Sequence, residues 1–217
     1  MSILIIAATA TELTPFALAD EQEKDIMLET MVSGVGLLST ALSLTKKIQA
    51  NQPSLVIQAG IAGSFNRSLS LGEAVVVVSD AVGDMGVEEN GVFKTVFEMG
   101  LADPEAFPFN GGRLINPYHE LMNKTGLTQV HSISINEIST STKRIQFYKD
   151  QMGADIETME GAALHMVCLE NKIPFLQIRG ISNWVGDRNK SQWQITEASE
   201  AVAEVVKNLI NNLNPKP

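Results

Sequence analysis

The chain has 217 residues and a formal charge of −9 at neutral pH, which argues against nucleic acid and anionic membrane surfaces as partners. Its hydrophobic fraction of 44% supports a sizeable core, yet no apolar run is long enough to cross a membrane. The single cysteine, Cys168, excludes a disulfide framework within the chain and fits a reducing compartment. The N-terminal residues lack the basic region of a signal peptide. We therefore expect a soluble, cytoplasmic protein of one domain, residues 1–217, with Cys168 in its core.

Segments with β-strand character alternate with segments of helical apolar spacing along the whole chain. Strands are predicted, in chain order, at residues 3–8, 26–32, 55–59, 74–79, 130–135, 156–159 and 175–181. Helices are predicted at residues 12–19, 37–50, 118–125, 143–152, 162–171 and 198–210. Residues 21–25 are expected to form a solvated turn, residues 60–63 a tight turn and residues 102–117 a long surface loop. This alternation predicts an α/β fold with a parallel or mixed sheet flanked by helices.

The glycine-rich segment after the second predicted strand nearly matches a dinucleotide-binding fingerprint. It reads Gly34-x-Gly36-x-x-Ser39, but no acidic residue lies between Glu29 and Glu73 to hold a ribose hydroxyl. Metal-ligand spacing is also missing among the three histidines, His119, His131 and His165. The sequence therefore predicts neither a bound cofactor nor a metal.

Polar or glycine-rich residues follow four of the predicted strands, at the carboxyl ends where open α/β sheets bind ligands. Glu12 offers a base, Glu160 two oxygens that can accept both hydrogens of a vicinal diol, and Asn183 a donor and an acceptor. Residues 60–63, Gly-Ile-Ala-Gly, bring backbone groups within reach of a flat heterocycle. Taken one at a time, the two glutamates fit helix N-terminal acids better than functional groups, Asn183 fits a loop residue, and residues 60–63 fit a simple tight turn.

The motifs AGIAGS at residues 59–64, MEGAA at 159–163 and IRGISN at 178–183 form a specific combination. In this order they resemble the nucleoside phosphorylase/nucleosidase superfamily, which contains purine nucleoside phosphorylases and methylthioadenosine/S-adenosylhomocysteine nucleosidases. Within it, AATATEL (7–13), GDMGVEENGVF (83–93) and ISNWVGDRNKSQW (181–193) are similar to the futalosine hydrolase subgroup. The resemblance covers essentially the whole chain. It implies a three-layer αβα sandwich around a mixed, partly barrel-like sheet, a homo-oligomer and no metal.

The resemblance also implies a role for each polar residue at the strand ends. Glu160 would hold the ribose 2′- and 3′-hydroxyls, with Met159 packed under the sugar. Glu12 would position and activate water, and Asn183 would face N7 and O6 of the purine. The remaining base contacts that it implies are Ile61, Ala62, Gly63 and, for stacking, Ile135. Two aromatic residues flank the loop after Asn183 and are candidates for closing over the substrate or for core packing, namely Trp184 and Trp193.

Asn183 departs from the adenine-specific nucleosidases of this superfamily, which carry an aspartate at this place. An asparagine amide can donate to N7 or to a 6-oxo group but has no titratable proton, so hypoxanthine is favoured over adenine. Phosphorolysis, in turn, requires a cationic pocket for phosphate. Residues 1–45 contain one basic side chain, Lys24, whereas the loop after the first strand carries Glu12. A carboxylate there suits water as the nucleophile.

We therefore predict hydrolysis of the N-glycosidic bond of a hypoxanthine nucleoside. The resemblance implies futalosine as this substrate and the release of hypoxanthine in the alternative menaquinone pathway. Three alternatives stay open: a purine nucleoside phosphorylase, a nucleosidase of the methylthioadenosine/S-adenosylhomocysteine type, and a non-catalytic nucleoside-binding protein. A phosphorylase would need a cation from elsewhere in the chain, and the candidates are Arg67, Arg113, Arg144 and Arg179. Of these, Arg179 is expected to pair with a carboxylate.

Overall fold

The structure, a computed structural model, describes residues 1–16 and 26–213. The strands are β1 (Ser2–Ala7), β2 (Met27–Val32), β3 (Leu55–Ser64), β4 (Ala74–Asp80), β5 (Gly86–Glu89), β6 (Val92–Thr95), β7 (Phe109–Asn110), β8 (Arg113–Ile115), β9 (Thr128–Ser134), β10 (Ile156–Thr158) and β11 (Phe175–Trp184). The helices are α1 (Ala10–Leu13), α2 (Leu37–Ala50), α3 (His119–Asn123), α4 (Thr142–Asp150), α5 (Gly161–Glu170) and α6 (Ile195–Leu213). Short 3₁₀ turns span Thr14–Phe16 and Lys190–Gln192.

All the predicted strands correspond to observed ones, which are β1, β2, β3, β4, β9, β10 and β11. The helices predicted after residue 26 correspond to α2 through α6. The helix predicted at 12–19 begins earlier, at Ala10, and gives way to a 3₁₀ turn that ends at Phe16. The rest of that helix and the turn predicted at 21–25 lie outside the described residues. The surface loop predicted at 102–117 contains β7 and β8, and β8 pairs with β4.

Two predicted loops are wrong because the strands before them continue. Residues 60–63 belong to β3, and Ser182 and Asn183 belong to β11. The two strands pair in parallel along this whole length. The glycines of 60–63 make room for neighbouring groups instead of forming a turn. At Gly60, for example, a β carbon would collide with the guanidinium of Arg179.

In the described part of the chain, β3 and β11 lie at the centre of a mixed, nine-stranded sheet. β1 pairs in parallel with both β2 and β3, while β11 is parallel to β3 and antiparallel to β4. β4 is parallel to β9, β9 is parallel to β10, and β10 returns antiparallel to β3. This last pairing closes β3, β11, β4, β9 and β10 into a barrel, from which β1 and β2 extend. The predicted mixed, partly barrel-like sheet is confirmed.

Helices cover both faces of the extended part of the sheet, which gives the predicted αβα layers. On one face, Val206 of α6 shares a core cluster with Ile57 of β3. On the other face, Leu44 of α2 and Cys168 of α5 share a cluster with Val56. Burying one such Val, Leu or Ile side chain contributes about 1.5–3 kcal/mol. The predicted core position of Cys168 is confirmed, and no helix in the described ranges is long and apolar enough to span a bilayer.

The barrel strands all contribute to one further apolar cluster, which fills the barrel. Its buried members are Ala62, Leu69, Val75, Val77, Val130, Ile156 and Ile181. Side chains alternate between the two faces of a strand. The chain neighbours Gly63 and Glu157 therefore face away from this cluster, toward the surface where β3, β10 and β11 meet.

Candidate active site

A cleft of about 330 Å³ opens where β3 and β11 meet the ends of β1 and β10. Glu12, Glu160 and Asn183, which belong to three separate parts of the sequence, all line this cleft. The predicted sugar and base contacts that line it as well are Ile61, Ala62, Gly63 and Met159. A volume of this size suits a small molecule. The structure thus brings together every predicted site residue but one.

Ile135 is the exception. It is fully buried in a core cluster with Ile133 and Tyr148, and it does not line the cleft. The isoleucine that does line the cleft is Ile138, three residues further along the same segment. Because β9 ends at Ser134, Ile135 still follows the buried face of the strand whereas Ile138 lies in the loop beyond it. The structure does not support Ile135 as a contact of the base.

Glu160 is held at the start of α5 by another element of the fold. Its Oε1 accepts a hydrogen bond of 3.0 Å from the backbone N–H of Gly36, the residue before α2. Gly36 has φ 88° and ψ 165°, a conformation that favours glycine and directs this N–H at the carboxylate. Glu160 is 6% exposed. Since a carboxylate offers about four acceptor sites, Glu160 keeps acceptor capacity for a ligand.

Arg179 lies behind Glu160 and is 1% exposed. Its Nη2 lies 3.7 Å from Oε2 of Glu160 and donates a hydrogen bond of 2.6 Å to Oε1 of Gln58. A β carbon at Gly60 would collide with Nη1 of Arg179 and would approach Oε1 of Glu12 to 3.0 Å. The guanidinium therefore reaches toward both carboxylates and compensates their charge. The prediction that Arg179 pairs with a carboxylate is confirmed.

A capping box at the start of α1 fixes Glu12. The hydroxyl of Thr9 accepts a hydrogen bond of 3.4 Å from the backbone N–H of Glu12. In return, Oε2 of Glu12 accepts hydrogen bonds from the backbone N–H (3.0 Å) and the hydroxyl (2.9 Å) of Thr9. The other oxygen, Oε1, lies over Gly60 beside the cleft. This short helix thus holds one carboxylate oxygen and leaves the second directed at the site.

A β-bulge aims Asn183. Ile181 of β11 pairs with Ala62 of β3, and the next pair is Asn183 with Gly63, so Ser182 is the extra residue. The hydroxyl of Ser182 lies 2.8 Å from Oδ1 of Asn183 and donates a hydrogen bond to it. Nδ2 of Asn183 donates to the carbonyl of Trp184 at 3.0 Å, which fixes the orientation of the amide. The second hydrogen on Nδ2 is then available to a ligand.

A buried polar network supports the first turn of α5. Asp80 accepts hydrogen bonds from Ser134 (3.0 Å) and Gln177 (3.1 Å), and Ser134 in turn accepts one from the N–H of Ala162 (2.8 Å). Burial raises the pKa of Asp80, an effect that the hydrogen-bond donors oppose. A β carbon at Gly161 would collide with both Asp80 and Gln177. The glycine of the MEGAA motif therefore lets the helix rest directly on this network.

The arginines considered as phosphate ligands are engaged elsewhere in the described structure. Arg67 lies over a tryptophan ring, 4.4 Å from its centroid, and Arg144 pairs with a surface glutamate. Arg113 donates hydrogen bonds to three backbone carbonyl groups, and Arg179 is buried as described above. Of the basic residues that the structure describes, Arg188 alone lines the cleft.

Sequence reasoning assigned no contact to Glu157, although this residue lines the cleft and is 8% exposed. Burial raises the pKa of its carboxyl, an effect opposed by hydrogen bonding from Ser139 and by the charge of Arg188. The available sequence signal was a second glutamate three residues before Glu160. Of the two tryptophans, Trp193 lines the cleft, whereas the Trp184 ring packs under a guanidinium.

The histidines are not arranged as metal ligands. His165 is fully buried with Nδ1 2.9 Å from the carbonyl oxygen of Leu114, and burial lowers its pKa to about 4. His131 lies with Nδ1 2.8 Å from the hydroxyl of Ser79, and burial lowers its pKa too. Within residues 1–16 and 26–213, no group of three His, Cys, Asp or Glu side chains is placed to hold a metal ion.

The sequence profile of the phosphorylase superfamily matches residues 30–211. The chain belongs to this superfamily. It is 29% identical over 195 residues to the futalosine hydrolase of Thermus thermophilus. This match covers 85% of this chain and 80% of that relative. It is also 26% identical over 190 residues to the 5′-methylthioadenosine/S-adenosylhomocysteine nucleosidase of Psychromonas ingrahamii, covering 84% and 80% of the two chains.

Two solved structures share the fold of this chain. A Helicobacter pylori nucleosidase mutant with 5′-methylthioadenosine in its active site has a TM-score of 0.83, with 18% identity, and the match covers 97% of this chain and 98% of that one. The native futalosine hydrolase of Helicobacter pylori has a TM-score of 0.79, with 18% identity, and 98% of each chain is covered. At this identity the likeness concerns the fold alone, which agrees with the barrel and layers described above.

Proposed function

We propose that the protein is an N-ribosyl hydrolase that cleaves the N-glycosidic bond of the hypoxanthine nucleoside futalosine and releases hypoxanthine in the alternative menaquinone pathway. The chain is a nucleosidase of the type that the names of its relatives describe, and the proposal narrows this type to an oxopurine substrate. One observation carries it: Glu12, Glu160 and Asn183 converge on one cleft, with Arg179 buried behind the two glutamates.

Glu160 suits the role of a ribose clamp. The N–H of Gly36 and the guanidinium of Arg179 each occupy one side of its carboxylate. The remaining lone pairs can accept the hydrogens of the 2′- and 3′-hydroxyls. Its charge also favours the oxocarbenium-like sugar that develops as the C1′–N9 bond lengthens. Met159, beside it in the cleft, offers an apolar surface under the sugar.

Glu12 is the general base of the proposed reaction. Because Thr9 holds Oε2, the other oxygen can orient a water molecule for attack on C1′. The hydroxyl of this water joins C1′, its proton passes to Glu12, and the electron pair of the C1′–N9 bond leaves with the purine. A positioned general base contributes about 10²–10⁴-fold to the rate.

Asn183 acts on the leaving group. The free N–H of its amide donates to N7 or O6 of hypoxanthine, where negative charge accumulates as the base departs. One well-placed contact of this kind contributes about 3–4 kcal/mol to stabilisation of the transition state.

The charge of the cleft supports water rather than phosphate as the nucleophile. Its described lining contains the carboxylates of Glu12, Glu157 and Glu160 against the single guanidinium of Arg188. Phosphate would meet this negative charge without a cationic pocket of its own. The second candidate function, an adenine nucleosidase, is favoured by the relative at 26% identity. The amide at Asn183, which has no proton to give to N7, favours the oxopurine instead.

We also propose that the protein works as a homo-oligomer in the cytoplasm. Leu38 and Leu42 of α2 are 82% and 55% exposed and lie one turn apart on the same face of the helix. Val35, just before the helix, is exposed too and lines the cleft. A second subunit on this apolar face would therefore lie beside the site. The free thiol of Cys168 agrees with a reducing compartment.

The test is an assay of product release. Purified protein is incubated with futalosine, inosine and 5′-methylthioadenosine, with and without phosphate, and the products are separated by chromatography. We expect hypoxanthine and free sugar from futalosine at a rate independent of phosphate. A sugar 1-phosphate product would overturn hydrolysis, and adenine release without hypoxanthine release would select the second candidate. A protein that binds these nucleosides and turns over none of them would be a nucleoside-binding protein.

A further inference from the structure

Glu157 and Asn183 flank the same glycine. β10 pairs with β3 so that Glu157 lies opposite Gly63, and β11 pairs with β3 so that Asn183 lies opposite Gly63 from the other side. Residues in register on adjacent strands project from the same face of a sheet. The carboxylate and the amide therefore lie on either side of Gly63 and border one stretch of the cleft, which we call the slot.

Gly63 lets the side chains of Asn183 and Val185 approach the backbone of β3. A β carbon at this position would lie 3.0 Å from Val185 and 3.3 Å from Nδ2 of Asn183. The bulge at Ser182 is equally necessary, because an unbroken register would pair Ser182 with Gly63 and turn Asn183 to the opposite face. Two independent features of the chain thus place the amide of Asn183 at this slot.

Glu157 carries an acceptor that the protein leaves unused. Its Oε1 accepts a hydrogen bond of 3.3 Å from the N–H of Ser139. Its Oε2 is buried without a hydrogen-bond partner among the described residues. Leaving a buried polar group unpaired costs about 1–3 kcal/mol, and more for a charged one. Glu157 lines the cleft, so a rotation of its carboxylate toward the cleft would pair this oxygen with a donor on the ligand.

The slot has a defined width and a defined hydrogen-bonding pattern. Two strand spacings separate the backbones of Glu157 and Asn183 by about 10 Å. A hydrogen bond of about 3 Å on each side leaves room for the edge of one planar ring system. That edge must present a donor to Glu157 and an acceptor to Asn183. A 6-oxopurine in its lactam form does so, with N1–H beside O6 and N7, whereas adenine presents an acceptor at N1.

We propose that Glu157 is a specificity-determining residue whose carboxylate accepts a hydrogen bond from N1–H of a 6-oxopurine, while Asn183 donates to O6 or N7 of the same base. The inference rests on the proposed function and adds Glu157 as the residue that recognises N1–H of the base. In this arrangement the N1 lone pair of adenine would face the carboxylate of Glu157, and two acceptors cannot form a hydrogen bond. The preference for an oxopurine then depends on two residues rather than on Asn183 alone.

Calorimetric titration of the free bases tests this role without requiring turnover. Hypoxanthine, 1-methylhypoxanthine (which has no N1–H) and adenine are titrated into the wild type, Glu157→Gln and the control Glu137→Gln, an exposed glutamate outside the cleft lining. We expect the wild type to bind hypoxanthine about 10- to 100-fold more tightly than 1-methylhypoxanthine, the range for a hydrogen bond to a charged group. In Glu157→Gln this ratio should shrink and adenine should bind more tightly, because glutamine can donate to N1. Glu137→Gln should match the wild type.

Equal wild-type affinity for hypoxanthine and 1-methylhypoxanthine would overturn the role of Glu157, and this comparison needs no variant that has to fold. An unchanged ratio of the affinities for hypoxanthine and 1-methylhypoxanthine in folded Glu157→Gln would overturn it as well. Turnover of futalosine is measured separately on the same wild-type sample. Hydrolysis of futalosine together with equal binding of the two bases would reject Glu157 as the base reader and leave the proposed function standing.

Discussion

Arg179 and Glu160 form a buried ion pair, with Nη2 3.7 Å from Oε2 and side-chain exposures of 1% and 7%. Removing one partner of a buried pair leaves the other charge uncompensated, at a cost of about 3–5 kcal/mol. We expect Arg179→Met to lower the free energy of unfolding by about this amount, as measured by urea denaturation. The double variant Arg179→Met/Glu160→Gln should regain part of the loss. An Arg179→Met protein as stable as the wild type would show that the pair does not stabilise the fold.

Glu12→Gln should abolish the general base while preserving the fold. Glutamine at this helical position can still accept hydrogen bonds from Thr9 and complete the capping box. We expect kcat to fall about 10²–10⁴-fold with little change in KM or in the melting temperature. Steady-state hydrolysis of futalosine and thermal denaturation provide the two measurements. Glu137→Gln, an exposed change near the site, serves as the matched control, and an unaltered kcat in Glu12→Gln would remove Glu12 from the mechanism.

Asn183→Asp should shift the base preference toward adenine. An aspartate can accept a hydrogen bond from the 6-amino group and can carry a proton to N7, whereas the asparagine amide donates to an oxopurine. We expect the ratio of kcat/KM for hypoxanthine over adenine nucleosides to fall by about tenfold or more. Asn51→Asp, at the exposed end of α2, is the control for the same chemical change. A constant ratio would mean that Asn183 does not contact the base.

His165 should make the fold sensitive to mild acid. Its pKa is lowered to about 4 by burial, against an ordinary value near 6.5, so the neutral form is the one that the folded state holds. The pKa of His165 is lower in the folded state than in the unfolded state. The stability that the neutral imidazole contributes is therefore complete above pH 6.5 and is lost as the pH falls toward 4. A shift of this size corresponds to about 3 kcal/mol.

The variant His165→Gln has no imidazole to take up a proton when the protein unfolds in acid, and it provides the test. Urea denaturation between pH 4 and pH 7 should give a difference in unfolding free energy between wild type and variant that narrows as the pH falls. Asp80 and Glu157, whose pKa values are raised by burial, increase the stability of the folded state as the pH falls. Both residues are present in the wild type and in the variant, so their effect cancels in the difference. A difference that is constant across this pH range would contradict the assignment.

Leu38→Lys should dissociate the proposed oligomer. A lysine on the exposed apolar face of α2 would place a charge in the contact between subunits, which is costly to desolvate. Sedimentation velocity should show a smaller species than for the wild type, with unchanged circular dichroism. Leu101→Lys alters a leucine that is 74% exposed in a different segment and should leave the assembly intact. Identical sedimentation of the wild type and Leu38→Lys would place the subunit contact elsewhere or remove it.

Seven strands, β1 to β4 and β9 to β11, and the helices α2 to α6 were predictable because each carries a local apolar pattern, whereas the short strands β5 to β8 carry none and were not predicted. The ends of β3 and β11 were not, because glycines and polar residues at positions 60–63 and 182–183 are typical of loops. There, pairing of the two strands outweighs local preference. The bulge at Ser182 is likewise decided by the neighbouring strand and leaves no signature in the sequence around it.

The convergence of Glu12, Glu160 and Asn183 was predictable from their positions at strand ends. The position of Glu157 beside Gly63 was not, because it depends on the antiparallel pairing of β10 with β3 that closes the barrel. Such pairing joins segments far apart in the chain and has no local pattern. Ile135 was predicted as a base contact, and Ile138 was not considered, for a similar reason: the limit of β9 decides which of the two isoleucines enters the core.

Arg179 is buried, so its positive charge acts on the neighbouring carboxylates but cannot be contacted by a ligand in the cleft. The guanidinium of Arg179 lies beside Gly60, where it acts on the two glutamates and stays closed to any anion that enters from solvent. An inventory of basic residues near the site would therefore overestimate its affinity for phosphate. In the proposed reaction this favours water over phosphate as the nucleophile. Gly60 has no β carbon and so leaves space for the guanidinium beside the carboxylates of Glu12 and Glu160.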